Sequence, residues 1–368
     1  MRPRPSSRAR ALHLFIDISS HGLGHLAISA PVINALARCR PRLRLTIRSG
    51  LTRERLAARI DPPFEHIAEA SDFGYRMIDA THIDLDASAL AYRATHADWA
   101  ARVGREAGLL LERSPDLVLS NVSYLPLAGA AAAGLPCAAL CSLNWADLFR
   151  HYFGRHDWAP PIHRQMLDAY RAAEIFLRPA PSMPMPELAN TVTVAPIARL
   201  GTRHELRLPA GVRAVLIAMG GFTHRLPIER WPRATGVRWL VPTDWHSRHP
   251  DAIPWDRIGL GFTDLLASVD AVITKPGYGT FTEAACNGVP VLHVRREDWP
   301  EQACLIEWIQ ANGRCLEIDE QQLATGELAD ALAALGRLPP RPIPRPDGAE
   351  QAAERLLGIA AVRRRMGR

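Results

Sequence analysis

Twice in this chain an apolar run ends in a glycine-rich turn that opens at once into a helical stretch. Near the start, Leu12–Ile18 leads into Ser19-Ser20-His21-Gly22-Leu23-Gly24-His25. Far downstream, Ala271–Thr274 leads into Lys275-Pro276-Gly277-Tyr278-Gly279-Thr280. Continuous apolar strands alternating with helices mark a parallel sheet covered on both faces. Ligands bind such sheets outside the carboxyl ends of the strands, where both turns fall.

The same grammar fills both halves. The first half predicts strands at Leu12–Ile18, Leu43–Arg48, Asp116–Ser120 and Cys137–Cys141, with one long helix over 88–112. The stretch 178–199 is proline-rich and reads as irregular linker, because proline lacks a donor and breaks helices. Strands then resume at Arg213–Ala218, Val237–Val241, Ile258–Leu260, Ala271–Thr274, Val289–Val294 and near 314–318, and a helix over Ala349–Arg365 closes the chain. A chain of 368 residues has length for roughly two domains. The expectation is an α/β protein of two doubly wound Rossmann-like domains facing each other across a cleft. They cover 11–195 and 211–348, with a linker at 196–210 and a terminal helix and basic tail at 349–368.

Composition narrows the function classes. Hydrophobic residues make up 48% and charged residues 22%, the profile of a globular protein. No apolar run reaches the ~18–20 residues that span a bilayer. The basic start reads as an arm leading into the first strand, not as a secretion signal. Six cysteines without a C-x-x-C pair read as buried free thiols of a cytoplasmic protein. The net charge of +6 comes from scattered arginines with no aromatic-interleaved basic stripe, so nucleic acid is not the expected partner. The first ten residues and Arg363–Arg365 are the exceptions: a solvated face, or a peripheral contact with an anionic membrane surface. Among 44 basic residues, Lys275 is the one lysine. Its position calls for a compact ammonium.

The turn after Ala271–Thr274 suits a diphosphate. Gly277 and Gly279 let the backbone approach a ligand closely. The first helical amides have no internal partner and carry the positive end of the helix dipole. Lys275 adds charge, Thr280 a hydroxyl, and Glu283, one turn on, a carboxylate for a ribose diol. Two more patches point to the same site: Gly220-Gly221-Phe222-Thr223 after another strand, and Phe262 to Leu265, where a ring could stack on a base beside readable backbone.

The segment 269–294 resembles the donor-binding signature of GT-B glycosyltransferases, especially the bacterial lipid-linked N-acetylglucosaminyltransferase and UDP-glycosyltransferase groups. The order of landmarks, including Asn144-Trp145, Met183-Pro184-Met185-Pro186 and Pro196–Arg199, is closer still to the glycosyltransferase-like amino-terminal region of L-arabinokinases. The resemblance covers about residues 11–320. It implies a metal-independent hexosyl transfer from a nucleotide sugar, UDP-linked by the same resemblance, to a small-molecule or lipid-linked acceptor, with no separate cofactor. It places Glu301 and Gln302, in Asp298-Trp299-Pro300-Glu301-Gln302, on donor sugar hydroxyls, and Tyr278 in the donor loop.

Across the cleft, His21 and His25 are candidates for the base that takes the acceptor's proton near neutral pH. By the resemblance His25 matches the family's Gly-His histidine. Where many relatives hold an aspartate to orient it, this chain has Asn121; Asp17 is an alternative partner. Two further readings fit the same residues: a nucleotide-sugar epimerase or hydrolase on this fold, and a non-catalytic nucleotide-sugar-binding protein. Asp84-Leu85-Asp86 matches a D-x-D metal motif but follows no nucleotide-binding strand.

Overall fold

A computed structural model describes residues 11–79, 81–221, 225–296 and 298–366. Phe222 and Thr223, the first ten residues and the side chains beyond Val362 lie outside that description. The chain builds two parallel α/β sheets. The first comprises β1 (His13–Ile18), β2 (Arg44–Arg48), β3 (Glu65–Ile67), β4 (Leu117–Asn121), β5 (Cys137–Leu140), β6 (Ile175–Pro179) and β7 (Thr191–Val194). The second comprises β8 (Arg213–Ala218), β9 (Val237–Val241), β10 (Ala252–Pro254), β11 (Ala271–Thr274), β12 (Val291–His293) and β13 (Cys315–Glu317).

The strand orders are β3-β2-β1-β4-β5-β6-β7 and β10-β9-β8-β11-β12-β13. Each is the doubly wound order, with its reversal between β1 and β4 in one sheet and between β8 and β11 in the other. These reversals leave crevices at the strands' carboxyl ends, so the two glycine-rich turns stand where the topology opens the sheet. β1, β4, β5 and β11 are buried along their whole length, which explains their unbroken apolar pattern.

Six helices carry or brace the cleft: α1 (Gly24–Cys39), α2 (Trp99–Arg113), α3 (Trp145–Phe153), α4 (Tyr278–Cys286), α5 (Gln302–Asn312) and α6 (Gly348–Met366). α6 leaves the second sheet and returns to the first. Ala352, Ala353 and Leu356 are buried, Gln351 Oε1 accepts from the Ala195 amide at 2.8 Å, and Glu350 meets Arg38 of α1 at 2.7 Å. Among the described residues, no helix is long and apolar enough to cross a membrane.

Three local expectations change. The helix expected over 88–112 is two, Leu85–His96 and α2, separated at Ala97–Asp98. The proline-rich 178–199 stretch contains β7, whose backbone groups pair with β6 between flanking prolines. Ile258–Leu260 is no strand: Trp255–Ile258 is a 3-10 turn closed by Gly259 at φ +74°, and the strand lies earlier, at β10. Asp84 caps the helix Leu85–His96 by accepting from the Ala87 amide at 2.9 Å. The cysteines are free thiols, with Cys137, Cys141 and Cys286 buried but Cys39 exposed.

Candidate active site

On the first-domain side, β1 ends at Ile18 and the chain turns through Gly22 at φ +85° into α1. Ser19 donates its amide to the Asn121 carbonyl at 2.7 Å, binding the turn to the end of β4. The Asn121 side chain is fully buried and fixed from three directions. Its Nδ2 donates to the His25 carbonyl at 3.1 Å and to Ser29 Oγ at 2.9 Å, while its Oδ1 faces His25 Nδ1 at 3.0 Å. Because the amide nitrogen is identified by its two acceptors, Oδ1 is the acceptor and Nδ1 carries the proton. His25 Nε2 is then the basic nitrogen. Burial lowers the His25 pKa to about 4, against the raising effect of Asn121. Asp17 is engaged elsewhere: it accepts from Arg48 Nε at 2.6 Å and Ser71 Oγ at 2.6 Å, and Arg48 also grips Glu106.

His21 stands closer to the second domain. Its ring lies parallel to Trp299 at 6.0 Å and edge-on to Trp145 at 5.3 Å. Its pKa falls well below the usual histidine range, by burial first and then by repulsion from His25, Arg296 and Lys275. Beside it, Asp72 accepts from Ser19 Oγ at 2.9 Å and Trp145 Nε1 at 2.7 Å. Burial and the neighbouring Asp17 raise its pKa to about 6.

From the second domain, Gly220 at φ +93° closes β8. A Cβ there would lie 3.6 Å from Lys275 Nζ, so the ammonium rests against the bare glycine backbone. Gly221 packs on the opposite turn: its Cβ would fall 2.9 Å from Leu23 Cγ. The two turns therefore touch across the cleft. Gly277 is the N-cap of α4 with no side-chain cap, and a Cβ there would meet only the Lys275 carbonyl oxygen, at 3.9 Å. Gly279 serves helix packing as well, since a Cβ would strike Ala27 Cβ at 2.7 Å. Thr280 is half-buried in the first turn of α4.

Arg296, which sequence reading missed, completes this side. It is 5% exposed, and its guanidinium carbon lies 3.7 Å from the Trp299 ring centre. Its Nε and Nη2 have no hydrogen-bond partner among the described residues. Burial brings its pKa down to about 10. Lys275 falls to about 7, chiefly by burial and then by repulsion from Arg296, with Glu301 opposing. Among the described residues no carboxylate forms an ion pair with either cation. Two cations and a neutral histidine thus stand close enough to perturb one another, beside the uncapped start of α4, an arrangement that attracts a multivalent anion.

Several expected ligand contacts are engaged within the protein. Glu283 is buried and doubly paired with Arg59 of the first domain, at 2.5 and 3.2 Å. Glu301 accepts from Ser142 Oγ at 2.6 Å and Trp299 Nε1 at 3.1 Å, and burial raises its pKa. Gln302 clasps the Arg296 backbone, accepting from its amide and donating to its carbonyl, each at 3.0 Å. Tyr278 points into the linker, donating to the Ala180 carbonyl at 3.1 Å and accepting from the Ile197 amide at 2.9 Å. Leu265 is fully buried in the core. Phe262 is partly buried, with Trp255 at 5.6 Å and the Arg59 guanidinium 5.6 Å above its ring. These partners come from sequence positions far apart, which local motif reading does not join. Arg296 left one signal, an Arg-Arg pair just past the carboxyl end of β12.

Similar solved structures share this fold. The kitacinnamycin glycotransferase superposes with a TM-score of 0.61 at 18% identity, covering 97% of this chain and 96% of that one. A UGT2 from Phytolacca americana, complexed with UDP-2-fluoro-glucose and pterostilbene, gives 0.54 at 15% identity over 95% and 94%. The spinosyn rhamnosyltransferase SpnG, complexed with thymidine diphosphate, gives 0.53 at 17% over 97% and 100%. The fold is GT-B. L-arabinokinase of Arabidopsis thaliana is 25% identical over 337 residues, which are 88% of this chain. The chain spans about a third of that protein's length, 32%. No described protein family matches the sequence.

Proposed function

We propose that this protein moves a glycosyl group from a nucleoside diphosphate sugar to an acceptor hydroxyl. The observation that carries the reading is the buried Arg296 guanidinium, whose Nε and Nη2 have no hydrogen-bond partner among the described residues, beside Lys275 at the uncapped start of α4. Buried charged donors without acceptors are costly, and a diphosphate supplies the missing oxygens. Gly220, Gly277 and Thr280 border the same crevice. Glu283, Glu301 and Gln302 take supporting roles here, holding Arg59, Ser142, Trp299 and the Arg296 loop.

In the proposed reaction the acceptor oxygen attacks the anomeric carbon, its proton passes to His21, and the bond to the diphosphate breaks with the electron pair leaving on phosphate. Lys275, Arg296 and the α4 amides stabilise that departing charge. His21 suits the base role because it borders both the cations and the first-domain cavity. Bound diphosphate offsets the repulsion that depresses its basicity, so donor binding prepares the base. His25, with its tautomer fixed by Asn121, packs behind as a positioning residue.

The test is calorimetric titration with UDP and dTDP, followed by turnover of their sugars. Arg296→Ala and Lys275→Ala each remove a charge-assisted contact of ~1.5–3 kcal/mol, roughly 10- to 150-fold in affinity. The reading fails if neither nucleotide binds, or if both variants bind as well as the parent. The pairing of Glu283 and Glu301 within the protein favours one second reading, a nucleotide-binding protein that grips the diphosphate without turnover. Tight binding with no sugar released or transferred would select it.

A further inference from the structure

The first domain holds a cavity of about 170 Å³ whose lining includes neither Lys275 nor Arg296. Trp145 lines it and also packs edge-on against His21 and His25, at 5.3 and 5.7 Å. Gly74 is another wall, so near His21 that a Cβ would fall 2.6 Å from the imidazole. The cavity therefore borders the cleft through single side chains.

Its polar groups are unevenly matched. Asp72 is held by Ser19 and Trp145. The Tyr124 hydroxyl meets His96 Nε2 at 2.8 Å, and Gln165 fixes the other imidazole nitrogen at 2.6 Å. Two lining residues, in contrast, carry buried atoms with no hydrogen-bond partner among the described residues: Arg102 Nε and Ser123 Oγ. Among the described residues no carboxylate is within ion-pair range of Arg102, Asp72 included. Orphaned buried donors destabilise a fold, and a cation and a hydroxyl together ask for an anionic oxygen pair. A carboxylate fits a guanidinium in a planar, two-bond geometry. The neighbouring rings of Trp99 and Tyr124, 5.5 Å apart, offer flat apolar surface. A cavity of ~150 Å³ accepts a benzene-sized ring.

We propose that this cavity binds the acceptor, and that the acceptor is a small ring bearing both a carboxylate and a hydroxyl. The carboxylate meets Arg102 and Ser123, and the hydroxyl faces Asp72 and His21. Repulsion from the Asp72 carboxylate sets that orientation. The assignment of the ligand as acceptor rests on the transfer reading above; the binding chemistry does not.

The experiment titrates the whole protein calorimetrically with 4-hydroxybenzoate and with glucuronate. The controls are their uncharged counterparts, 4-hydroxybenzamide and glucose. At least one acid binds roughly tenfold or more tightly than its neutral counterpart, and which acid it is distinguishes an aromatic from a sugar ring. Arg102→Gln removes the preference and Arg102→Lys restores part of it, while affinity for UDP or dTDP stays unchanged. Ser123→Ala, a smaller perturbation, weakens the acid alone and guards against misfolding of the arginine variants. Equal binding of acids and neutral counterparts overturns the proposal, as does a preference that survives Arg102→Gln. Acid binding with no sugar transferred from any nucleotide donor leaves the cavity assignment standing and defeats the transfer reading. Transfer to neutral acceptors that ignores Arg102 defeats only the acceptor assignment.

Discussion

Substituting Glu283 by Gln separates two roles for one carboxylate. The structure shows it doubly bonded to Arg59 across the two domains, 224 positions apart in sequence, with side-chain exposures of 2% and 17%. Removing one member of a buried pair costs ~3–5 kcal/mol. Arg59 keeps some contact with water, and glutamine still offers one acceptor, so the lower end applies: about 3 kcal/mol. At about 2–4 °C per kcal/mol for domains of this size, Tm falls by roughly 6–12 °C. Arg59→Ala does the same, and the double variant is much less destabilised than the sum, since the two share one interaction. Calorimetry at 25 °C in parallel shows UDP or dTDP affinity within about threefold of the parent, well below the roughly tenfold or greater loss expected for a direct charged contact. A Tm within 2 °C of the parent, at most about 1 kcal/mol, combined with a tenfold or larger loss of nucleotide affinity would refute the clasp and make Glu283 a ribose contact.

The titrating groups and the helix packing carry further consequences. Lys275 titrates at about 7, and a bound diphosphate favours its charged form, so nucleotide binding at pH 8 takes up a proton. Calorimetry in buffers of different ionisation enthalpy measures this, and Lys275→Met removes it; unchanged uptake in that variant refutes the assignment. His25, His96 and His293 are each lowered to about 4 by burial, whereas unfolded histidine titrates near ~6.5. The unfolded chain therefore binds protons first, so stability is full above about pH 6.5 and declines toward pH 4; a Tm flat across that window contradicts it. Gly279→Ala drives a methyl into Ala27 and lowers stability by ~1–3 kcal/mol. Adding Ala27→Gly makes the pair less destabilised than the two singles summed, and strict additivity in denaturant unfolding would sink the packing argument.

The parts of this molecule legible in sequence are those that local chemistry determines. Buried parallel strands write themselves as unbroken apolar runs, and the turns of Gly22 and Gly220 need positive φ that glycine supplies. Lys275 was legible because it is the one lysine. The remainder depends on who meets whom. Glu283 and Glu301 read as ligand residues in sequence, and only the fold shows Arg59 beside the one and Ser142 beside the other. Asp72 and Arg102 sit in no motif; only folding brings them to one cavity wall. β7 was hidden because its pairing with β6 outweighs the surrounding prolines.

α6 gives the chain an unusual timetable. The helix that covers α1 is encoded after the whole second sheet, so residues 13–194 leave the ribosome with the α1 surface bare. The first domain reaches its final form only when Ala352, Ala353 and Leu356 arrive, after the second sheet has been made. A nascent chain therefore carries an unfinished first domain until the second sheet has been made, and one halted before residue 348 never closes it.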